Sequence, residues 1–250
     1  MRDTITGLIP ARGGSLRVPH KNIRYLHGHP LIAYSIQSAM DAGIFSNIVV
    51  ATDSDEIAKI SRYYGINDVF MRSPENATST SLDIDWLTIC QESGLIQTRN
   101  FAILRPTSPF RSSELIRKVK AVFDDSTADS IRTIARVKEH PGKMWRVNVA
   151  TSEMEPYIEQ TPLEVASHAK QYQSLEALFV QTSVLEMAKT SVISEYGTRE
   201  GVVVAPYITE GSDSHAIDTE LDWQMARMLI EMNPDLLPKI SARPFPGETN

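Results

Sequence analysis

Apolar and polar positions alternate along the first half of this chain in two rhythms, and the rhythm predicts the elements. Residues 5–9 form a short apolar run that stops at Pro10. Residues 31–42 then carry apolar side chains at helical spacing before a stop at Gly43, predicting strand, loop and helix. Residues 48–52 are a continuous apolar run, the pattern of a strand covered on both faces, and 56–64 read as a helix capped by an Asp or Ser. Further on, 68–72 predict a short edge strand, 81–91 a helix, 101–104 a strand and 113–123 a helix. Strand and helix in strict turn predict the α/β class, a doubly wound and mostly parallel sheet with helices on both faces.

The rhythm changes near Ile131. Residues 130–137 read as a strand, but His140-Pro141-Gly142-Lys143 interrupts, and the stretches around Trp145 and Tyr157 resemble a β-ribbon more than a crossover helix. Residues 138–175 are therefore expected to form a lobe inserted in one domain that spans 1–250. Its Trp145, Tyr157 and Tyr172 suit either a subunit interface or the common core. The parallel pattern is expected to resume with a strand at 177–180, a helix-like stretch at 185–188 and a strand at 202–207. Thr219 can cap a helix running through Ile230, and the tail from Pro234 reads as irregular and mobile at its end.

Composition narrows what such a domain does. The chain has 250 residues, 42% hydrophobic and 22% charged, with a formal net charge of -6. That balance argues against a general nucleic-acid binder, so any polyanion site must be a local concentration of cations. The one cysteine, Cys90, rules out an internal disulfide and a thiolate metal cluster, which points to the cytoplasm and leaves Cys90 as a small core residue. No apolar run is long enough to cross a bilayer, so no membrane partner is expected. The six histidines show no metal-ligand spacing.

Cations concentrate in the first loop. Gly13 and Gly14 permit close backbone approach, and Arg12, Arg17 and Lys21 supply charge, which together suit a nucleoside triphosphate. The alternative is an ordinary strand-to-helix loop that happens to be basic. Asp53 and Asp55, at a strand end, read as caps for the next helix in preference to ribose or metal ligands.

Four blocks in order resemble the acylneuraminate cytidylyltransferases. They are Ile9-Pro10-Ala11-Arg12-Gly13-Gly14-Ser15 with Lys21-Asn22, the stretch 104–111, the stretch 140–146, and Ile217-Asp218-Thr219 with Asp222. The resemblance spans about residues 5–232 and implies a Rossmann-like nucleotidyltransferase fold. It implies transfer of CMP from CTP to a nonulosonic or related 3-deoxy-sugar acid, release of pyrophosphate, Mg²⁺ as cofactor, and a homodimer formed through the inserted lobe. It further implies Arg12, Lys21 and Asp218 as catalytic residues. Nucleotide contacts would come from Leu8, Pro10, Ala11, Arg12, Gly13, Gly14, Asn22, Arg72, Thr80 and Ser81. The sugar would meet Arg105, Thr107, Ser108, Lys143 and Gln181, and the metal Asp218 and Asp222. Plainer roles stand beside two of these: Lys143 as a solvated lysine and Asp222 as a helix-dipole residue.

Three positions depart from the family pattern. Leu16 stands where a triphosphate-facing Lys is usual, Ala216 where a metal-binding Asp is usual, and Thr182 where an Asn is usual in one branch. Arg17, next to Leu16, is expected to point elsewhere as a loop neighbour, and a guanidinium does not reproduce an ammonium. The departures leave three readings open: an active cytidylyltransferase of a divergent branch, a catalytically impaired relative that binds a nucleotide or partner, and another nucleotidyltransferase or nucleotide-binding enzyme. A dehydrogenase is disfavoured, because the first loop lacks Gly-x-Gly-x-x-Gly.

Overall fold

The computed structural model describes residues 5–15, 17–78, 80–158 and 165–247. Strand β1 (Ile5–Pro10) leads through the basic loop and a small hairpin, β2 (Tyr25–Leu26) and β3 (His29–Pro30), into helix α1 (Leu31–Ala42). There follow β4 (Phe45–Thr52), α2 (Asp55–Tyr63), β5 (Asp68–Met71), α3 (Asp83–Glu92), β6 (Asn100–Ile103), α4 (Ser113–Asp124) and β7 (Ser130–Arg136). The second half carries β8 (Trp145–Asn148), β9 (Glu153–Pro156), β10 (Phe179–Lys189), α5 (Ser191–Tyr196), β11 (Val204–Ile208) and α6 (Glu220–Met232).

Among the described residues these strands build one seven-stranded sheet in the order β11-β7-β10-β6-β1-β4-β5. Strand β1 lies parallel to both β4 and β6, β4 is parallel to β5, and β7 is parallel to β11. Alternate residues of the central strands serve two cores. Ile5, Ile9, Val50 and Leu104 pack with side chains of α1, α2 and α4 on one face. Leu8, Ala51, Phe101 and Ile103 pack with Trp86, Leu87 and Cys90 of α3 and with α5 on the other. Each fully buried Leu, Ile, Val or Phe among them contributes about 1.5–3 kcal/mol. A third cluster seats α6, through Trp223, Ala226 and Ile230, on Leu26, Leu31 and Tyr34.

Local rules explain the helix boundaries. Ser54 caps α2 by accepting from Ile57 N, and Ser112 caps α4 by accepting from Leu115 N. Helix α1 ends at Gly43, whose φ of 63° is left-handed and cheap only for glycine.

One expectation needs correction. Residues 185–188 are not helical: they lie in β10, an eleven-residue strand antiparallel to both β6 and β7. A central strand buried on both faces reads as a short apolar run, which periodicity alone does not distinguish from helix. The orientation follows from the connection, since the described residues between β7 and β10 hold no α-helix to serve as a crossover. The tail is irregular, as expected, and Phe245 is tied to the body of the protein. Tyr25 Oη donates to the carbonyl of Phe245, whose own N–H donates to Tyr64 Oη at 3.1 Å, and its ring packs edge-on against Tyr63. The expected mobility at its end concerns residues 248–250, which lie outside the described residues.

The ribbon expected in the lobe is present, β8 pairing antiparallel with β9. Within the lobe His140 is buried and fixes its base, accepting from Gly142 N and pairing with the carbonyl of Glu176.

Candidate functional site

The order β6-β1-β4 creates a switch point, because the chain moves from β1 to β4 on one side and later returns to β6 on the other. Open α/β sheets hold ligands in the crevice at the carboxyl ends of such strands. A cavity of about 500 Å³ opens there, walled by the loop after β1, the loop after β6, the approach to α3 and the segment before α6.

The loop after β1 is anchored by its backbone. Gly13 N–H donates to Asp53 Oδ1 at 2.7 Å, and Asn22 Nδ2 donates to the carbonyl of Arg12 at 2.9 Å. A Cβ on Gly13 would lie 3.1 Å from Ser54 Cβ, so the loop packs closely here and glycine fits without displacing that side chain. Asp53 therefore ties down this loop, while Ser54 caps the helix. With the backbone fixed, Arg12, Arg17 and Lys21 all face the cavity. Arg12 also donates to the carbonyl of Thr78 at 3.0 Å. Lys21 is nearly buried, with Nζ on the carbonyl of Ile217 at 2.8 Å and on Asp218 Oδ1 at 3.3 Å. Burial lowers its pKa and Asp218 opposes that, while Arg17 and Arg12 push it further down.

Arg17 meets the same Asp218 oxygen at 3.3 Å, so the expectation that it points away is overturned. The loop turns it back toward the segment before α6. Leu16 itself lies outside the described residues.

The segment before α6 is held on both sides. Ile217 N donates to the carbonyl of Thr107 at 2.8 Å. Asp222 Oδ2 accepts from Thr219 N at 2.7 Å, from Thr219 Oγ1 at 2.8 Å and from Asp218 N at 3.1 Å, closing a capping box. Burial would raise the Asp222 pKa, but these donors hold it down. Asp218 thus presents its carboxylate to the cavity while Asp222 fixes the backbone behind it. Among the described residues no three His, Cys, Asp or Glu side chains cluster as a metal cage. A divalent cation that keeps waters and takes substrate oxygens needs only one or two carboxylates, and Asp218 fits that demand.

The far end is built around Arg105. Its Nη2 meets Asp83 Oδ2 at 2.6 Å and Glu186 Oε1 at 3.2 Å. Burial alone would raise the Asp83 pKa, yet Arg105 and Arg199 hold it down to about 2. The wall behind is fixed by Arg111, which is fully buried and has no carboxylate partner among the described residues. Arg111 donates to the carbonyls of Arg105 at 3.1 Å and Val184 at 2.7 Å and to Ser35 Oγ at 2.7 Å. Burial presses its pKa down to about 9, still above neutral, so the charge persists. Where the pairing of β10 with β7 shifts register between Gln181 and Glu186, Gln181, Thr182 and Ser183 line an adjoining compartment with Arg105 and Arg199.

Of the residues expected from sequence, Pro10, Arg12, Lys21, Asn22, Arg72, Ser81, Arg105, Thr107 and Asp218 line the cavity together. Arg72 lies over the Trp86 ring with its guanidinium 5.6 Å from the centroid, and burial lowers its pKa. Gln181 borders the adjoining compartment, accepting from Arg132 at 2.6 Å. Other expected residues stand back from the wall. Leu8 is in the core with its carbonyl bonded to Leu104 N, and Ala11 N donates to the carbonyl of Ala51. Gly13 faces Asp53, and Gly14 is open. Thr80 donates its N–H to Thr78 Oγ1, and Ser108 is buried beneath the loop. Lys143 lies in the lobe, its Nζ on the carbonyls of His168 at 2.8 Å and Lys170 at 2.5 Å.

Sequence reasoning assigned no role to Asp83, Arg199 or Glu186. The signal available was local: Glu186 follows Gln181 and Thr182 closely in the chain. A larger concavity of about 920 Å³ lies between the small hairpin and α6. Within it Arg24 is forked onto Glu220 at 2.6 and 3.0 Å and stacked 4.3 Å above Trp223.

A family model described as cytidylyltransferase matches residues 6–214. The chain is 31% identical over 239 residues to a CMP-N,N'-diacetyllegionaminic acid synthase of Legionella pneumophila, covering 93% of this chain and 99% of that one. It is 35% identical over 120 residues to a pseudaminic acid cytidylyltransferase of Campylobacter jejuni, covering 46% of this chain and 51% of that one. Among solved structures, a CMP:2-keto-3-deoxy-manno-octonic acid synthetase complexed with CTP superposes with a TM-score of 0.66 at 14% identity. That likeness covers 92% of this chain and 99% of the other, and it shows the shared fold.

Proposed function

Since this chain belongs to the cytidylyltransferase family, we propose that it transfers CMP from CTP to a nonulosonic or related 3-deoxy-sugar acid and releases pyrophosphate. The observation that carries this reading is the division of one cavity: Arg12, Arg17 and Lys21 stand at one end and Arg105 at the other. A triphosphate needs several cations, and a sugar carboxylate needs one guanidinium with free N–H groups.

In the reaction the anomeric hydroxyl oxygen of the acid bonds to the α-phosphorus, the bond from that phosphorus to the bridging oxygen breaks, pyrophosphate departs, and the hydroxyl proton passes to solvent water. Positioning and charge stabilisation do most of the work in such a transfer. Lys21 and Arg17, both held by Asp218, fix cations where charge builds on the departing pyrophosphate. Arg105, held by Asp83 and Glu186, orients the acid from the opposite side. Magnesium carried in on the triphosphate would take Asp218 as its carboxylate ligand and neutralise phosphate charge. The position after Leu16 returns a cation to the cavity, which supports an active enzyme over a binding-only relative.

The lobe carries exposed Trp145, Val147, Val149, Met154 and Tyr157, an apolar surface that suits pairing with a second copy. Lys143, at the base of this lobe, would then approach a partner's sugar compartment. No helix among the described residues is long and apolar enough to cross a membrane.

The test is to incubate the protein with CTP, Mg²⁺ and a panel of 3-deoxy-sugar acids while following pyrophosphate. Release with at least one acid is expected, and no release with any acid overturns the reading. Calorimetry with the four nucleotides should show CTP binding tightest.

A further inference from the structure

Four side chains from four separate elements close a ring of alternating charge beside the sugar compartment. Asp83 belongs to the first turn of α3, Arg105 to the loop after β6, Glu186 to β10 and Arg199 to the loop after α5. Arg105 Nη2 meets Asp83 at 2.6 Å and Glu186 at 3.2 Å, and Arg199 meets Glu186 at 3.2 Å and Asp83 again. Both cations therefore share both anions. Arg132 of β7 extends the ring from Glu186, at 3.3 Å, to Glu200. The six charges cancel.

We infer that this ring sets the affinity of the compartment for a substrate carboxylate, with Arg199 and Glu186 acting as opposed specificity-determining charges. The inference rests on the reading of the compartment as the sugar-acid site. Both acids bind Arg105 through one nitrogen, Nη2. Its Nη1 and Nε have no protein partner among the described residues and are not sealed from solvent, so they remain to receive the acid. Arg199 makes this arrangement possible by satisfying the same two carboxylates. Without Arg199, Asp83 and Glu186 carry surplus negative charge, drawing Arg105 inward and repelling an incoming carboxylate. Without the Glu186 charge the balance reverses, and the compartment gains a net positive charge. A ring that merely braced the fold would behave differently, since either loss would weaken it.

The sign of the effect is therefore the test. Arg199→Gln, Glu186→Gln and the double variant are prepared in the full chain. Affinity for a 3-deoxy-sugar acid is measured by calorimetry, KM for the acid and for CTP from pyrophosphate release, and Tm by melting. Arg199→Gln should weaken acid binding about tenfold, and Glu186→Gln should tighten it about threefold, on the scale of one unit charge a few ångströms away at a partly solvated site. The double variant should return toward the wild type, with KM for CTP nearly unchanged throughout. Glu200→Gln, at the exposed end of the network, should tighten acid binding in the same direction and stands in if Glu186→Gln does not fold. Weakening by the Arg and the Glu substitutions alike, or equal shifts for CTP and acid, overturns the inference. If the wild type binds an acid but releases no pyrophosphate, the proposed reaction fails while the affinity series still decides the ring. If the wild type binds no acid, the ring inference falls.

Discussion

At the loop end of the cavity Arg12, Arg17 and Lys21 face one carboxylate, Asp218, which pairs with Arg17 and Lys21, whereas at the β10 end Arg105, Arg132 and Arg199 are matched by Asp83, Glu186 and Glu200. The difference follows what each end must hold. A triphosphate arrives with several charges and its own cation, so surplus positive charge there is neutralised only when the ligand binds. A monocarboxylate arrives with one charge, and a compartment already balanced discriminates by geometry as much as by attraction. Surplus charge draws a ligand in; balanced charge orients it.

The comparison breaks most visibly at Lys21. Lys21→Ala removes a cation from the end with surplus positive charge, and pyrophosphate release should fall about 10²–10³-fold, the scale of losing one charge-stabilising donor. A loss below about tenfold would mean that Arg17 and Arg12 suffice there. At the balanced end Arg105→Gln should raise KM for the acid about tenfold or more and leave KM for CTP nearly unchanged, because one charge-assisted contact is lost. Equal effects on both substrates would erase the distinction between the ends.

Acid titration sharpens the comparison through stability. The folded-state pKa of Asp83 lies near 2, below its ordinary 3.8. Its ion pairs therefore contribute stability above pH 4 that is lost as pH falls toward 2, amounting to about 2 kcal/mol. Denaturant melts at pH 7 and pH 2.5 should show this loss in the wild type, and Asp83→Asn should lack that part of the pH dependence. The smallest effect is expected at Thr219→Ala, which opens the capping box behind Asp218 and should cost about 1 kcal/mol in chemical denaturation. A much larger drop in activity than in stability would show that the cap aims Asp218.

How much of this was legible in the sequence depends on distance along the chain. The strand β1, the helix α1 and the edge strand β5 follow local periodicity and were read close to their observed bounds. The β8–β9 ribbon was read from its departure from that periodicity. Residues 185–188 misled because a two-faced buried strand has no alternation to show, and the direction of β10 depends on how the lobe returns. In the site, the loop cations were legible because they crowd one segment. The ring was not, since Arg105 meets Asp83 across 22 residues and Glu186 across 81, and charge pairing leaves no periodic trace. The turn of Arg17 toward Asp218, 201 residues away, was hidden for the same reason.

The protein has one thiol, Cys90, buried on α3 beside Trp86 and Leu87, with burial pushing its pKa up to about 12. Asp83 stands at the other end of the same helix. An alkylating reagent therefore meets no reactive sulfur until α3 lifts from the sheet. The rate at which the folded protein becomes labelled is a clock for that opening, read from the side of the helix that no substrate touches.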